Sequence, residues 1–144
     1  MLQPTTAVHN QTPRIVGGIK WVMLISGLLT SSMVYAAIDP QRALGSMFGT
    51  TLEGPLAEVL VRNWGVLVTL VGLLLIYAAF NPQIRTIVVV QAAVSKAVFV
   101  ALMLAYFSQY FTPQALFTIA LDSVTVLVFG WYLLRVALDP TAKP

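Results

Sequence analysis

The sequence of 144 residues contains no cysteine and a single histidine, His9. Without cysteine the chain forms no disulfide, and it offers neither a catalytic thiolate nor a ligand for an iron–sulfur cluster or a covalently attached haem. One histidine is too few for a bis-histidine haem site or a histidine metal cluster within one chain. These absences exclude thiol-based redox chemistry and predict a protein that holds no metal and no other cofactor.

Charged residues are also scarce, because only 9% of the chain is charged while 58% is hydrophobic. The mean hydropathy of +0.86 lies far outside the range of soluble domains. The net charge of +3 is too small and too dispersed to predict a nucleic-acid partner. A glycine-rich phosphate loop, an HExxH sequence and a nucleophile elbow are all missing. The composition predicts an integral membrane protein of the lipid bilayer that is not an enzyme.

Four long apolar runs occupy most of the chain, at residues 15–38, 56–80, 86–110 and 114–138. Each run is long enough to cross a hydrocarbon layer of about 30 Å as a helix. The runs are continuous, whereas the strands of a membrane barrel alternate between apolar and polar residues. We therefore predict an all-α fold, an integral membrane four-helix bundle that forms a single transmembrane domain over residues 1–144.

The connections between the runs differ in length. Residues 81–85 are expected to form a short loop, whereas residues 39–54 form a long surface connection. Asp39 followed by Pro40 is typical of the start of a helix, so a short helix is expected there. The apolar residues of this connection predict that it lies on the membrane surface or covers one end of the bundle.

The basic residues predict the orientation of the bundle in the membrane. With four spans, both termini and residues 81–85 share one side, which carries Arg14, Lys20, Arg85, Arg135 and Lys143. The opposite side carries only Arg42 and Arg62. Because basic residues accumulate on the cytoplasmic side, the N and C termini are predicted to be cytoplasmic in a multi-pass protein of the cell inner membrane.

Two opposite charges, Lys96 and Asp122, lie near the middle of the third and fourth runs. At 1.5 Å per helical residue both fall close to the centre of the bilayer, and a short connection makes these helices antiparallel neighbours. Three interpretations stay open. The residues form a structural ion pair, they form a proton or ion relay or an anchor for a polar ligand, or Lys96 turns away toward the nearer interface.

Other polar residues inside the runs could belong to the same site as Lys96 and Asp122, and small residues predict how the helices pack. Thr118 and Thr125 share a helix stripe with Asp122, and Ser26 with Thr30 forms a shorter stripe on the first helix. Such residues either contact a ligand or donate hydrogen bonds to neighbouring helices. The small residues inside the spans predict close approach between helix backbones; they are Gly27, Gly65, Gly72, Ala92 and Ala93.

A second polar group begins the second helix, in the segment EVLVRNWG. Glu58 and Arg62 are one turn apart with the acid first, which is the favourable order for an ion pair. Asn63 and Trp64 follow directly. This group is interpreted as an interfacial ion pair beside a tryptophan anchor, with a contact to a ligand headgroup or a partner protein as the alternative.

The segments EVLVRNWGVLVTLVGLLLIYAAFNP and SKAVFVALML carry a family resemblance. Through them the chain resembles the DoxX-like small four-helix bacterial membrane proteins. The resemblance implies an inner-membrane bundle of a kind sometimes associated with membrane redox systems. It implies no catalytic residues for this chain.

Three functions are consistent with the sequence. The first is a small non-catalytic membrane protein that serves as a subunit or accessory partner of a larger membrane complex, with other membrane subunits as its partners. The second is a small ion-coupled transporter with Lys96 and Asp122 at the midplane. The third is a quinone- or lipid-binding membrane protein that works with a redox partner.

Overall fold

The computed structural model describes residues 12–110 and 112–138, with side chains from Gly18 onward. This part of the chain is helical and contains no strand, so the predicted all-α fold is confirmed. The helices are α1 (Thr12–Ser31), α2 (Val34–Ile38), α3 (Pro40–Phe48), α4 (Pro55–Phe80), α5 (Pro82–Ala105) and α6 (Pro113–Leu138). Four segments are long and apolar enough to cross a membrane: Gly18–Ile38, Pro55–Phe80, Pro82–Ala105 and Pro113–Leu138. The predictions for His9, the Arg14 side chain and Lys143 fall outside the described part.

The first span is interrupted, where the sequence predicted one helix over residues 15–38. A turn at Ser32 and Met33 separates α1 from α2. The Met33 amide donates to the Thr30 carbonyl at 3.2 Å, and the Ser32 hydroxyl donates to the Leu29 carbonyl at 2.6 Å. The Met33 bond reaches back three residues rather than four, which tightens the backbone locally, and the serine side chain takes up a carbonyl near the end of the helix. Three hydroxyl residues, Thr30, Ser31 and Ser32, lie at the turn, but the mean hydropathy over Gly18–Ile38 is still 1.7, so hydropathy averaged over the span does not reveal the break.

The third span lies nearer to the N-terminus of the chain than predicted. It was expected over residues 86–110 after a loop at residues 81–85, but α5 begins at Pro82 and only Asn81 separates it from α4. Proline at the first helical position loses no backbone hydrogen bond, and its fixed φ suits the helix. At the other end, turns replace the predicted helix after Ala105. The prediction of a loop at residues 81–85 is therefore wrong.

Helices α1 and α2 pack closely against α4 through glycine. A Cβ atom added to Gly72 would lie 2.5 Å from the Ser31 amide nitrogen, and one added to Gly65 would lie 2.6 Å from the Ala37 nitrogen. A Cβ on Gly27 would lie 2.8 Å from the Gly72 carbonyl. The backbones therefore touch, which is the role that the sequence predicted for these small residues.

Helices α5 and α6 form the second closely packed pair. We call the end of the bundle that holds the start of α1, Asn81 and the end of α6 the terminal end. There the two pairs meet in an apolar core whose largest fully buried side chains are Met23, Leu75, Val89 and Phe129. The terminal half of the bundle is therefore closed by packed side chains.

The opposite end, here called the α3 end, is bridged by helix α3. The Asp39 carboxylate caps this helix by accepting a hydrogen bond from the Arg42 amide at 3.2 Å. The Phe48 ring contacts Trp64 of α4 and Tyr110, with centroids 6.4 and 6.0 Å apart. Helix α3 therefore connects the two pairs across the end of the bundle, where the sequence predicted a covering segment.

Candidate functional site: a cleft between the two helix pairs

A cleft of about 600 Å³ opens between the two helix pairs in the half of the bundle nearer the α3 end. All four spans contribute to its walls, and Met47 of α3 contributes at its end. The cleft exists because α1 packs mainly on α4 and makes only a small contact with α6. Its apolar wall residues include Leu29, Trp64, Val68, Phe99, Leu102 and Leu121.

The Lys96–Asp122 ion pair lies in the wall of this cleft. The Lys96 Nζ atom donates to the Asp122 Oδ1 atom at 2.5 Å, and the side chains are only 12% and 15% exposed. Lys96 therefore does not turn away from Asp122 toward the interface. The pair links α5 to α6, and it brings two opposite charges into a mostly apolar cavity.

The two threonines predicted beside Asp122 also line the cleft. The Thr118 hydroxyl donates to the Gln114 carbonyl at 3.0 Å, and the Thr125 hydroxyl donates to the Leu121 carbonyl at 2.8 Å. Each threonine thus uses its proton on its own helix, four residues back. Their oxygens keep lone pairs with which they can accept a hydrogen bond.

The wall that α1 contributes carries Ser26 and Thr30. Ser26 is 6% exposed, and its hydroxyl has no hydrogen-bond partner in the described part of the chain. Buried hydroxyls are nearly always paired, since an unpaired one costs about 1–3 kcal/mol. The sequence predicted that these two residues share a stripe on the first helix. The structure places this stripe in the same cleft as the ion pair.

The group predicted at the start of the second helix does not form one site. The Arg62 Nη1 atom donates to the carbonyls of Ala37 at 2.6 Å and Ile38 at 3.1 Å, the last residues of α2. Its Nη2 atom lies 3.8 Å from the exposed Glu58 carboxylate. Asn63 is exposed outside the cleft, whereas Trp64 lines it. Arg62 therefore binds the end of α2, and only Trp64 belongs to the cleft.

Replacing Arg62 by alanine is expected to lower the free energy of unfolding by about 1 kcal/mol, because two carbonyls of α2 lose their donor. Glu58→Gln is expected to cost less than about 0.5 kcal/mol, since exposed ion pairs contribute little. Titration with SDS of the protein in mild detergent measures both changes. A loss in Glu58→Gln as large as that in Arg62→Ala would contradict the role assigned to the carbonyls.

A buried arginine lies outside the cleft, at the terminal end. Arg85 was predicted in a loop, but it belongs to the first turn of α5 and is only 3% exposed. Its Nη2 atom donates to the Ala79 carbonyl at 3.1 Å. The guanidinium group thus binds a carbonyl of the last turn of α4, where the helix dipole favours positive charge, and this offsets the unfavourable dipole at the start of α5. We interpret Arg85 as a cap that stabilises the tight α4–α5 connection.

Within residues 12–110 and 112–138, no three histidine, cysteine or acidic side chains lie close enough together to hold a metal ion. The chemistry of the cleft is therefore that of hydroxyl groups, one ion pair and apolar side chains. Comparison with protein-family models, curated proteins and solved structures finds no match for this chain.

Proposed function

We propose that this protein is a non-catalytic membrane protein that binds a lipid-soluble molecule in the cleft between its helix pairs. The observation that carries the proposal is the cleft itself, about 600 Å³ in volume with apolar walls. Ligand sites in proteins span about 300–1,000 Å³ and combine apolar walls with a few convergent polar groups. The Lys96–Asp122 pair and the hydroxyl of Ser26 are those polar groups here.

Among the functions that the sequence left open, this proposal favours a lipid- or quinone-binding protein over an ion-coupled transporter. A transporter must open its site to both sides of the membrane in turn. The packed core of Met23, Leu75, Val89 and Phe129 closes the terminal half. Opening this half would separate tightly packed side chains, whereas binding from the α3 end or from the bilayer requires no such change.

The setting of the protein belongs to the same proposal. With cytoplasmic termini in an inner membrane, the cleft lies in the outer half of the bilayer and α3 lies at the outer surface. The resemblance to DoxX-like proteins and the role of an accessory subunit stay predictions. They fit a binding protein that passes its ligand to, or receives it from, a larger membrane complex.

Filling the cleft tests the proposal directly. In the variant Val98→Phe with Val124→Phe, two exposed residues of the cleft wall become larger. The wild-type protein, extracted with its surrounding lipids by a styrene–maleic acid copolymer, is expected to retain a bound lipid-soluble molecule. The filled variant is expected to retain at least about tenfold less, because the phenyl rings occupy the space. Solvent extraction followed by mass spectrometry measures the retained molecule.

The matched control is Val94→Phe with Leu127→Phe. Both positions are exposed on α5 and α6 but lie outside the cleft, so retention is expected to match the wild type. Equal retention by the filled variant, or no retained molecule in the wild type, would refute binding in the cleft.

A further inference from the structure

The polar groups of the cleft lie deep in the membrane. Lys96 is nine residues from Ala105 at the end of α5, and Asp122 is nine residues from Pro113 at the start of α6. At 1.5 Å per residue, both are about 14 Å from the α3 end of their helices. This depth is about half of a hydrocarbon layer of about 30 Å. A ligand group that meets them must therefore leave the headgroup region entirely.

The charges of the cleft wall cancel. The described wall residues carry one cation, Lys96, and one anion, Asp122, which are bonded to each other. The other polar groups of the wall are uncharged: hydroxyls, such as those of Ser26 and Thr30, and the indole N–H of Trp64. A charged ligand group would have to lose its water at the midplane without a free counter-charge, which is strongly unfavourable. The depth and the charge balance both favour an uncharged ligand group.

Several hydrogen-bond donors of the wall have no partner in the described part of the chain, and the Ser26 hydroxyl is the most deeply buried of them. Thr118 and Thr125 donate to carbonyls of their own helix, but the Ser26 hydroxyl has no partner although it is more than nine-tenths buried. A buried donor without a partner is costly, and a ligand oxygen in the cleft would satisfy it once the Ser26 side chain rotates toward the cleft. The group that Ser26 meets is therefore an acceptor, such as a carbonyl oxygen.

We infer that the cleft selects an uncharged lipid-soluble molecule with a carbonyl oxygen, which accepts a hydrogen bond from the Ser26 hydroxyl near the bilayer midplane. This inference rests on the proposed function, and it names the class of ligand. The apolar walls hold the hydrocarbon part of the molecule, and Ser26 distinguishes it from a plain hydrocarbon. The paired charges discriminate against lipids with ionised groups at this depth.

Trp64 provides a reporter for the test, because it is the tryptophan that lines the cleft. The other two tryptophans, Trp21 and Trp131, are exposed outside the cleft and are replaced by phenylalanine. Three probes with the same dibrominated stearoyl-length chain are added to the protein in lipid nanodiscs. They are a methyl ester, a carboxylate and a hydrocarbon. Bromine quenches tryptophan fluorescence on contact. The filled variant Val98→Phe with Val124→Phe measures the background, which is the quenching of Trp64 by probe molecules in the lipid outside the cleft.

The methyl ester is expected to quench Trp64 at about tenfold lower membrane concentration than the carboxylate or the hydrocarbon. Ser26→Ala is expected to weaken quenching by the ester about fivefold and to leave quenching by the hydrocarbon unchanged. The matched control is Ser31→Ala. Ser31 is half-buried and its hydroxyl oxygen also lacks a partner in the described part of the chain, but it faces Gly72 in the α1–α4 contact and does not line the cleft. The Ser31→Ala substitution is expected to leave the quenching of Trp64 by all three probes unchanged.

The outcomes separate this inference from the proposed function. If the three probes quench equally above background, or if Ser26→Ala has no effect on the ester, the selectivity is refuted while binding in the cleft stands. If the carboxylate quenches best, Lys96 attracts an anion and the inference is overturned. If no probe quenches above the filled-variant background, both proposals fail. A thermal unfolding curve for each variant establishes that it is folded before binding is compared.

Discussion

Replacing Asp122 alone by leucine is expected to lower the free energy of unfolding by about 3 kcal/mol, because Lys96 would be left in the cleft wall without its partner. The Lys96 and Asp122 side chains are only 12% and 15% exposed, so water compensates little of this loss. Lys96→Met alone is expected to be destabilising for the same reason, since it leaves Asp122 unpaired. SDS titration in mild detergent measures the free energy of unfolding of the wild type and of the two single variants.

The double variant Lys96→Met with Asp122→Leu is expected to lie within about 1 kcal/mol of the wild type. An apolar pair of similar volume replaces a buried ion pair at little net cost, whereas removal of one partner is strongly destabilising. The two single losses should therefore exceed the loss in the double variant, which a double-mutant cycle quantifies. Losses that simply add would mean that the two charges do not stabilise each other.

The same double variant also distinguishes the interpretations of the pair. A structural ion pair predicts that the folded double variant still retains its lipid-soluble ligand, because Ser26 and the apolar walls remain. A ligand anchor or relay at Lys96 and Asp122 predicts that retention is lost although the protein is folded. The retained ligand, measured by mass spectrometry as above, decides between them.

Gly72→Ala is expected to lower the free energy of unfolding by about 2 kcal/mol, although it changes one hydrogen into a methyl group. The new Cβ atom would lie 2.5 Å from the Ser31 nitrogen and 2.7 Å from the Gly27 carbonyl oxygen, so α1 must move away from α4. Alanine is otherwise the better helix former by about 1 kcal/mol, so a net loss reports the clash. SDS titration measures this change too.

Gly130→Ala in α6 is the matched control. Nothing lies within 4 Å of a Cβ atom at Gly130, so the same substitution meets open space there. We expect it to be neutral or stabilising by up to about 1 kcal/mol. Equal losses at Gly72 and Gly130 would show that glycine in these spans is needed for some reason other than close helix packing.

Movement of α1 has a consequence for the cleft as well. Ser26 and Leu29 of α1 form the wall opposite α5 and α6, and the glycine contacts hold that wall in place against α4. A displaced α1 changes the shape of the cleft, so Gly72→Ala should also reduce ligand retention, while Gly130→Ala should not. Stability and binding are thus linked through one helix contact.

The spans and the shared depth of Lys96 and Asp122 were predictable from the sequence because they depend on local quantities. Hydropathy adds up along a single run, so the four spans are visible without any tertiary information. The common depth of Lys96 and Asp122 follows from the rise of a helix and from the short connection that makes α5 and α6 neighbours. Only the structure shows that the two side chains are bonded to each other. The close approach at Gly65 and Gly72 follows from the absence of a side chain.

The tertiary structure alone decided the break at Ser32 and Met33, the single-residue connection at Asn81, and the cleft. The cleft depends on how far the two helix pairs separate, and that distance is set by contacts between residues far apart in sequence, such as Phe48 with Trp64 and Tyr110. The role assigned to Ser26 also depends on the tertiary structure. Its residue type is visible in the sequence, but a hydroxyl without a partner is recognised only when all of its neighbours in space are known.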